Sequence, residues 1–253
     1  MQWRDDALVL GTRRHGESSL VLEVLTRERG RCLGLVKGGR SPRFAAKLQP
    51  GNSLDVTWRA RLDEHLGNFS VEPTDLRASG LMQTSLGLNT VQTLASHVRL
   101  LPERDPHPEL YDGMVTLLDI VATAPETDAD GVTLSAIIAG GLVVRFEVMI
   151  LDALGFGLDL SECAITGTFE DLAYVSPRTG RAASRDAGRL WHDRLLELPA
   201  FLSEATNEHA PNTADIRAGF RLTGHFLQRH VWEPRGIAPP PTRDGILMAL
   251  AEA

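Results

Sequence analysis

The chain has 253 residues, of which 43% are hydrophobic and 23% are charged, and it carries a formal net charge of -7. This length is enough to bury the core of one large domain or two small ones, and the ordinary composition excludes a low-complexity or fibrous protein. The longest apolar-rich run, residues 131–144, is too short to span a bilayer, and no signal peptide is visible. Two cysteines far apart in the sequence, Cys32 and Cys163, exclude a disulfide framework. We therefore expect a cytoplasmic protein without a membrane anchor.

The charge is distributed unevenly along the sequence. Up to Arg61 there are 12 Lys/Arg and 6 Asp/Glu residues, whereas the remainder holds 14 and 27. The two lysines of the chain, Lys37 and Lys47, both fall in one glycine-containing segment of the basic part. Such an asymmetry predicts a module that binds a polyanion, joined to an acidic module. Chance variation in a soluble protein is the alternative.

The first 79 residues have the pattern of short strands separated by turns. Apolar and polar residues alternate, and glycines mark the turns between the apolar runs. The predicted strands are Ala7–Arg13, Ser19–Thr26, Arg31–Val36, Ser53–Leu62 and Leu66–Glu72. Five short strands in so small a segment favour a closed barrel, and the five-stranded OB-fold is the common solution. We predict an OB-fold over residues 1–79.

From residue 80 onward the apolar residues recur at helical spacing. The predicted helices are Leu86–Leu101, Pro108–Ala124, Thr133–Leu154, Thr213–Trp232 and Arg243–Ala251. The third is apolar nearly all round, which predicts a central buried helix, and Asn212 or Thr213 is the expected cap of the fourth. Residues 155–193 are rich in turns instead. The fold class predicted is α+β, an N-terminal barrel followed by a mostly α-helical domain over residues 80–253.

No enzymatic signature is present in the sequence. Lys37-Gly-Gly is not a P-loop, and no Gly-x-Ser-x-Gly nucleophile elbow occurs. His107-Pro-Glu109 matches half of the zinc-deaminase signature, but the Pro-Cys-x-x-Cys half is missing. Two cysteines and eight histidines without a His-x3-His pair do not build a structural zinc site. We expect a protein without catalytic activity, metal or cofactor.

The segment around the two lysines gives the positive signal for binding. Its cations recur every three or four residues, and the neighbouring glycines keep the backbone open; they are Lys37, Arg40, Arg43 and Lys47. Flexible cations on an open loop can follow a phosphate backbone. Further cations can extend the patch across the barrel: Arg13, Arg14 and Arg31. A solvated turn without a ligand is the alternative.

Aromatic residues for base stacking are few in the basic part. The candidates are Phe44 in the loop, with Trp58 and Phe69 on the predicted strands. The competing interpretation is that Trp58 and Phe69 fill the barrel core.

Several short motifs, in order along most of the chain, carry a resemblance to a known family. They are Ala7-Leu-Val-Leu, Glu17-Ser-Ser-Leu-Val-Leu, Gly30-Arg, Val36-Lys-Gly-Gly-Arg-Ser, Leu48-Gln-Pro, Arg145-Phe-Glu and Leu154-Gly-Phe-Gly. With these motifs the sequence resembles the bacterial RecO recombination mediators. The resemblance implies an N-terminal OB-fold, a helical C-terminal domain, a cytoplasmic and nucleoid-associated location, and no chemistry of its own.

The same resemblance implies a function and a set of partners. Members of the family bind single- and double-stranded DNA and anneal complementary strands in recombinational DNA repair. With RecR, they help RecA replace the single-stranded-DNA-binding protein on DNA gaps. We expect a monomer.

One departure from the family concerns a zinc lobe after the central helix. Many members carry four cysteines there, whereas this chain keeps only Cys163 and has no cysteine in residues 180–188. The expected lobe, about residues 157–193, is therefore a degenerate, metal-free version of a zinc finger. The residues expected to hold it together by packing are Phe169, Leu172, Tyr174 and Val175.

Arg145 is a second site implied by the resemblance. Family members are thought to hold the acidic C-terminal tail of the single-stranded-DNA-binding protein in a pocket of the helical domain. An arginine suits a terminal carboxylate, because its planar fork can donate to both oxygens. An internal ion pair with Asp152, two turns along the same helix, is the alternative.

Other classes of function stay open at this point. OB-folds also bind RNA, so an RNA-binding translation or ribosome accessory protein is the main rival. A protein adaptor whose basic barrel docks an acidic partner is the third possibility.

Overall fold

The computed structural model describes residues 1–124, 134–203 and 211–250. It divides the chain into two compact units, Met1–Ala124 and Pro125–Ala253. The first unit contains the barrel and the helices that follow it directly, so the division lies well beyond residue 79, where the sequence pattern places the boundary. Within the described residues, no helix is long and apolar enough to cross a membrane.

Five strands close into a barrel in the order β1-β2-β3-β5-β4, and β4 also pairs with β1. Their bounds are β1 Gln2–His15, β2 Ser19–Thr26, β3 Gly30–Val36, β4 Ser53–Arg59 and β5 Asn68–Asp75. Neighbouring strands are antiparallel except β3 and β5, which are parallel and meet at Leu35 and Asn68. The predicted five-stranded barrel is confirmed. β1 is longer than predicted because its first residues pair with β4.

The barrel core contains the aromatic residues of the strands. Trp58 is 1% exposed and Phe69 is 5% exposed. The Trp58 indole N–H donates to the Leu66 carbonyl at 3.0 Å, and its ring stacks on Trp3 with centroids 5.6 Å apart. Gly34 of β3 lies directly against the Phe69 ring, where a Cβ would overlap it. The interpretation of Trp58 and Phe69 as core residues is therefore confirmed.

Four helices complete the first unit: α1 Pro42–Ala45, α2 Ala78–Leu81, α3 Ser85–Val98 and α4 Pro108–Thr123. Arg77, whose side chain is 5% exposed, connects them to the barrel. Its guanidinium donates to the Asp119 carboxylate of α4 at 2.6 Å and to the Ser53 hydroxyl of β4 at 2.7 Å. It also donates to the Gly51 carbonyl at 3.0 Å. Because these bonds join α4 to the barrel, the first compact unit extends to Ala124.

Helices make up most of the second unit. The described ones are α5 Leu134–Ala153, α6 Arg185–Gly188, α7 Thr213–Leu227, α8 Glu233–Arg235 and α9 Pro241–Ala249. A π-helical segment, Gln228–Trp232, joins α7 to α8. Asn212 caps α7 as predicted, accepting the N–H groups of Ala214 and Asp215 at 2.8 Å and 3.1 Å. The predicted helices are confirmed in position, while two predicted ends, Thr133 and Ala251, lie outside the described residues.

A buried ion pair joins three of these helices. Glu147 of α5 is 0% exposed and accepts a hydrogen bond from Nε of Arg243 of α9 at 2.7 Å. The Thr223 hydroxyl of α7 donates to the same carboxylate. The central position predicted for the third helix is confirmed, since α5 supplies many of the fully buried residues of this unit.

The turn-rich segment after α5 folds around a small sheet. Three short strands, β6 Leu172–Val175, β7 Ala182–Ser184 and β8 Leu196–Glu197, pair in the order β7-β6-β8. A 3-10 helix, Arg189–Arg194, lies between α6 and β8, and another spans Ala200–Leu202. Val175 is buried, and Leu172 and Tyr174 are half-buried. The expectation for Phe169 is wrong, because this residue precedes the sheet in a loop and is 63% exposed.

Candidate nucleic-acid interface

The cation loop, residues 37–47, lies in the connection from β3 to β4 and is anchored in the barrel. Gly38 has φ +67°, a left-handed conformation that glycine adopts without a steric penalty. This turn lets the Gly39 N–H donate to the Val36 carbonyl at 3.2 Å. The Phe44 side chain, 8% exposed, and the Leu48 side chain, 4% exposed, belong to the barrel core. The loop is thus fixed at two points, and three of its cations, Lys37, Arg40 and Arg43, are exposed.

A large cleft, with a cavity volume of about 950 Å³, lies against β1, β2 and β3 beside the cation loop and α3. Five arginines and two glutamates supply its charged lining: Arg13, Arg14, Arg31, Arg40, Arg99, Glu23 and Glu103. Arg13 and Arg14 are exposed, and no carboxylate among the described residues pairs with either of them. Both residues line the cleft, and no carboxylate among the described residues offsets their charge.

The inner arginines of the large cleft are engaged in ion pairs. Arg31 donates to one Glu23 oxygen at 3.0 Å, and Arg99 donates to the other at 2.9 Å. Arg31 also lies 3.6 Å from the Glu103 carboxylate. The side chains of Arg31 and Glu23 are each only 15% exposed. Of the seven predicted cations, Arg31 is therefore the least available to a ligand.

Arg40 lies at the rim of the large cleft. Its guanidinium donates to the backbone carbonyls of Glu17 and Gly16, in the turn between β1 and β2. Carbonyl oxygens carry no net charge, so Arg40 is positioned without being neutralised. The bonds hold the cation loop against this turn.

A small cleft, of about 370 Å³, lies beside α1 against β5 and the ends of β3 and β4. Three cations line it, Lys37, Arg43 and Arg59, and no carboxylate is among its lining residues. The Arg43 guanidinium lies over the Phe44 ring, 4.6 Å from the centroid, and Arg59 donates to the Gln2 amide oxygen at 3.0 Å. Neither contact neutralises a charge.

The structure thus brings the predicted cations together around one loop but divides them between two clefts. Lys37 and Arg43 line the small cleft, whereas Arg13, Arg14, Arg31 and Arg40 line the large one. Lys47 is half-buried and lines neither.

Four charged residues of the two clefts are absent from the sequence-based prediction: Arg59, Glu23, Arg99 and Glu103. Arg59 is exposed at the end of β4, and the strand alternation is a usable signal for its outward direction. Glu23 and Arg99 form an ion pair although they are 76 positions apart in the sequence, so no local sequence pattern predicts their pairing.

In the second unit, Arg145 lies on α5 and is exposed. Its Nη2 donates to the Phe201 carbonyl at 2.8 Å, and the guanidinium lies 5.9 Å from the centroid of the Phe201 ring. No hydrogen bond or ion pair joins the described side chains of Arg145 and Asp152. The structure therefore does not support the alternative of an internal pair.

Cys163 is 1% exposed and lies near the small sheet of the second unit. Burial raises the pKa of its thiol, but hydrogen bonds from the Thr166 hydroxyl and from the backbone N–H groups of Ser184, Thr166 and Ile165 outweigh it and lower the pKa to about 6. Within residues 1–124, 134–203 and 211–250, no group of three or more potential metal ligands comes together.

Comparison with known proteins identifies the family. The family model for the N-terminal part of recombination protein O matches residues 1–77, and the model for its C-terminal part matches residues 97–236. A DNA repair protein RecO from Chelativorans sp. (strain BNC1) is 54% identical over 253 residues, which cover 99% of this chain and 96% of that protein. The chain belongs to the RecO family. RecO proteins of Rhizobium etli (strain CIAT 652) and Brucella abortus (strain 2308) are 53% and 50% identical and are covered to 94% and 97% of their lengths.

Membership in the RecO family decides between the classes of function left open by the sequence. The barrel with its cation loop is the OB-fold of a family of DNA repair proteins. The three relatives are named for DNA repair and none for translation, so the RNA-binding alternative gains no support.

Proposed function

We propose that this RecO-family chain binds single- and double-stranded DNA and anneals complementary strands during recombinational repair. Its role is that of a mediator, which helps RecA replace the single-stranded-DNA-binding protein on DNA gaps together with RecR. The observation that carries the proposal is a group of cations around an anchored loop that pair with no carboxylate in the part of the chain that the structure describes: Arg13, Arg14, Lys37, Arg43 and Lys47. Phosphate backbones are bound mainly by such cations, and contacts of this kind act on any sequence.

The proposed mechanism needs no covalent chemistry. The cation loop lowers the repulsion between two phosphate backbones, and base pairing between the strands then supplies the free energy of annealing. The core position of Trp58 and Phe69 supports a backbone-directed interaction, because these rings are unavailable for stacking on bases. We therefore propose a protein that is not an enzyme and acts in the cytoplasm on the nucleoid.

The second proposed contact is between Arg145 and the acidic C-terminal tail of the single-stranded-DNA-binding protein. Arg145 is exposed, and the Phe201 carbonyl and ring hold its guanidinium in place on one side. A positioned guanidinium suits a carboxylate, since less side-chain freedom is lost on binding.

The test is annealing of two complementary DNA strands coated with the cognate single-stranded-DNA-binding protein. The wild type should anneal them, and alanine replacement of Lys37, Arg40, Arg43 and Lys47 should reduce the rate to that without protein. A matched control removes four arginines from surface ion pairs outside the loop: Arg4, Arg27, Arg185 and Arg221. Exposed pairs contribute little to stability, so this variant should fold and anneal like the wild type. Wild-type protein that leaves coated strands unannealed would refute the proposed function.

A further inference from the structure

We propose that the large cleft and the small cleft each hold one single strand of DNA, so that one chain carries two strands at once. This inference rests on the proposed function and adds to it the path of the DNA. The observation behind it is the division of the cations between two clefts that share only Phe44 among their lining residues.

The two clefts are built from different parts of the barrel. The large cleft uses β1, β2 and the first half of β3, together with Arg99 just after α3. The small cleft uses β5, the end of β4 and the end of β3. Their shared residue, Phe44, is 8% exposed and packs into the barrel core from α1. The short helix α1 thus contributes to both clefts, with Arg43 in the small one and Ala45 in the large one, while the two clefts have no lining strand segment in common.

Each cleft has enough charge to hold a polyanion without the other. In the large cleft Glu23 and Glu103 offset two of five arginines, which leaves an excess of three positive charges. In the small cleft Lys37, Arg43 and Arg59 give three positive charges with no carboxylate in the lining. A single binding track would concentrate this excess along one groove. Equal charge in two separate clefts instead matches two separate strands.

The cation loop also reduces the repulsion between the two strands. Arg40 lines the large cleft and Arg43, three residues later, lines the small one. Two phosphate backbones in these clefts would each have a cation of the loop between them and the other strand. Holding two strands side by side with their repulsion reduced is what an annealing protein has to achieve.

The number of strands bound per chain tests the inference directly. The probe is oligothymidylate, which cannot pair with itself, about 8 nucleotides long, near the short end of the roughly 4–16 nucleotides that one OB-fold covers. Titration calorimetry at low salt should give two oligonucleotides per chain for the wild type. Arg13→Ala with Arg14→Ala should leave one, bound in the small cleft. Lys37→Ala with Arg43→Ala should also leave one, bound in the large cleft.

Controls separate this inference from the proposed function. Arg4→Ala with Arg27→Ala removes the same charge from surface ion pairs of the same unit and should still bind two oligonucleotides. Each cleft variant should lose annealing while still binding one strand. One oligonucleotide per wild-type chain would overturn the two-cleft inference and leave DNA binding intact. No binding by the wild type would overturn the proposed function itself.

Discussion

The buried centre of the second unit and the cation loop of the first unit use the same residue type, arginine, in opposite ways. In the second unit Arg243 donates to the Glu147 carboxylate at 2.7 Å and to the Phe220 carbonyl at 2.6 Å, and its side chain is 10% exposed. In the cation loop of the first unit, Arg43 is exposed, and its one recorded partner is the neighbouring Phe44 ring. A guanidinium whose hydrogen-bond acceptors belong to the protein stabilises the fold. A guanidinium that lacks such acceptors has its charge available for a ligand.

The large cleft contains both kinds of arginine. Arg31 and Arg99 share the two oxygens of Glu23, whereas Arg13 and Arg14 on the adjacent strand have no carboxylate partner among the described residues. The paired arginines fix the shape of the cleft, and the unpaired ones give it charge. Counting cations in a sequence does not separate these roles, because the partner of each cation is set by the fold.

The largest effect that tests this comparison is expected at the buried ion pair. Arg243→Ala leaves the fully buried Glu147 carboxylate without its guanidinium, which should lower the free energy of unfolding by about 3–5 kcal/mol. Urea denaturation followed by circular dichroism measures the change. The control is Arg221→Ala in the same unit, whose exposed pair with Glu197 should contribute less than about 1 kcal/mol. Equal effects of the two variants would contradict a structural role for Arg243.

An exposed arginine of the same unit, Arg145, provides the second test. Arg145→Ala should weaken binding to the tail peptide of the single-stranded-DNA-binding protein by about 1.5–3 kcal/mol, the value of a hydrogen bond to a charged group. Binding to naked DNA should be unchanged. Calorimetry with the peptide measures this, with Arg221→Ala as the control. An unchanged affinity for the peptide would refute the site.

A smaller effect, which depends on pH, is expected from the hydrogen bonds to the buried thiolate of Cys163 in the second unit. Hydrogen bonds to the thiolate outweigh the effect of burial and lower its pKa to about 6, below the ordinary value of about 8.5 in the unfolded chain. The stabilisation is fully present above the unfolded pKa and is lost as pH falls through the folded one. Between pH 7 and pH 8 the free energy of unfolding should therefore rise by about 1 kcal/mol more in the wild type than in Cys163→Ala.

Urea denaturation at the two pH values checks this difference, and the other cysteine is the control. Burial raises the pKa of Cys32 to about 11, so Cys32→Ala should leave the change between pH 7 and pH 8 nearly as in the wild type. Parallel pH dependence in the wild type and Cys163→Ala would contradict a stabilised thiolate.

The sequence predicts the strands and helices of this fold well, but it predicts poorly which of them pack against each other. Alternation along β3 and β4 and the capping residue Asn212 are local signals, and the corresponding strands and helix lie where these signals place them. The extent of the first unit depends instead on Arg77, whose bonds to Asp119 and Ser53 span 42 and 24 positions. Contacts between residues so far apart in the sequence leave no periodic pattern from which they could be predicted.

The same limit applies to the candidate interface. The cations of the loop are conspicuous in the sequence, but their division between two clefts depends on Phe44, which fixes α1 in the barrel core. The half-buried position of Lys47 and the ion pairs of Arg31 also follow from tertiary packing. Phe169 illustrates the converse error, because an apolar residue in a turn-rich segment is no evidence of burial when no strand or helix carries it inward.

The salt dependence of DNA binding tests most directly the central claim that the cation loop holds phosphates. For a single strand long enough to reach both clefts, each phosphate contact adds about -0.7 to the slope of log affinity against log salt. Replacing Lys37, Arg40, Arg43 and Lys47 by alanine should therefore make the slope less steep by about 2.8, which corresponds to roughly a fifty-fold change in affinity between about 50 and 200 mM salt. We expect the same loss for every DNA sequence, and no change of slope in the variant lacking Arg4, Arg27, Arg185 and Arg221. An unchanged slope in a folded loop variant would contradict the account and place the DNA elsewhere on the molecule.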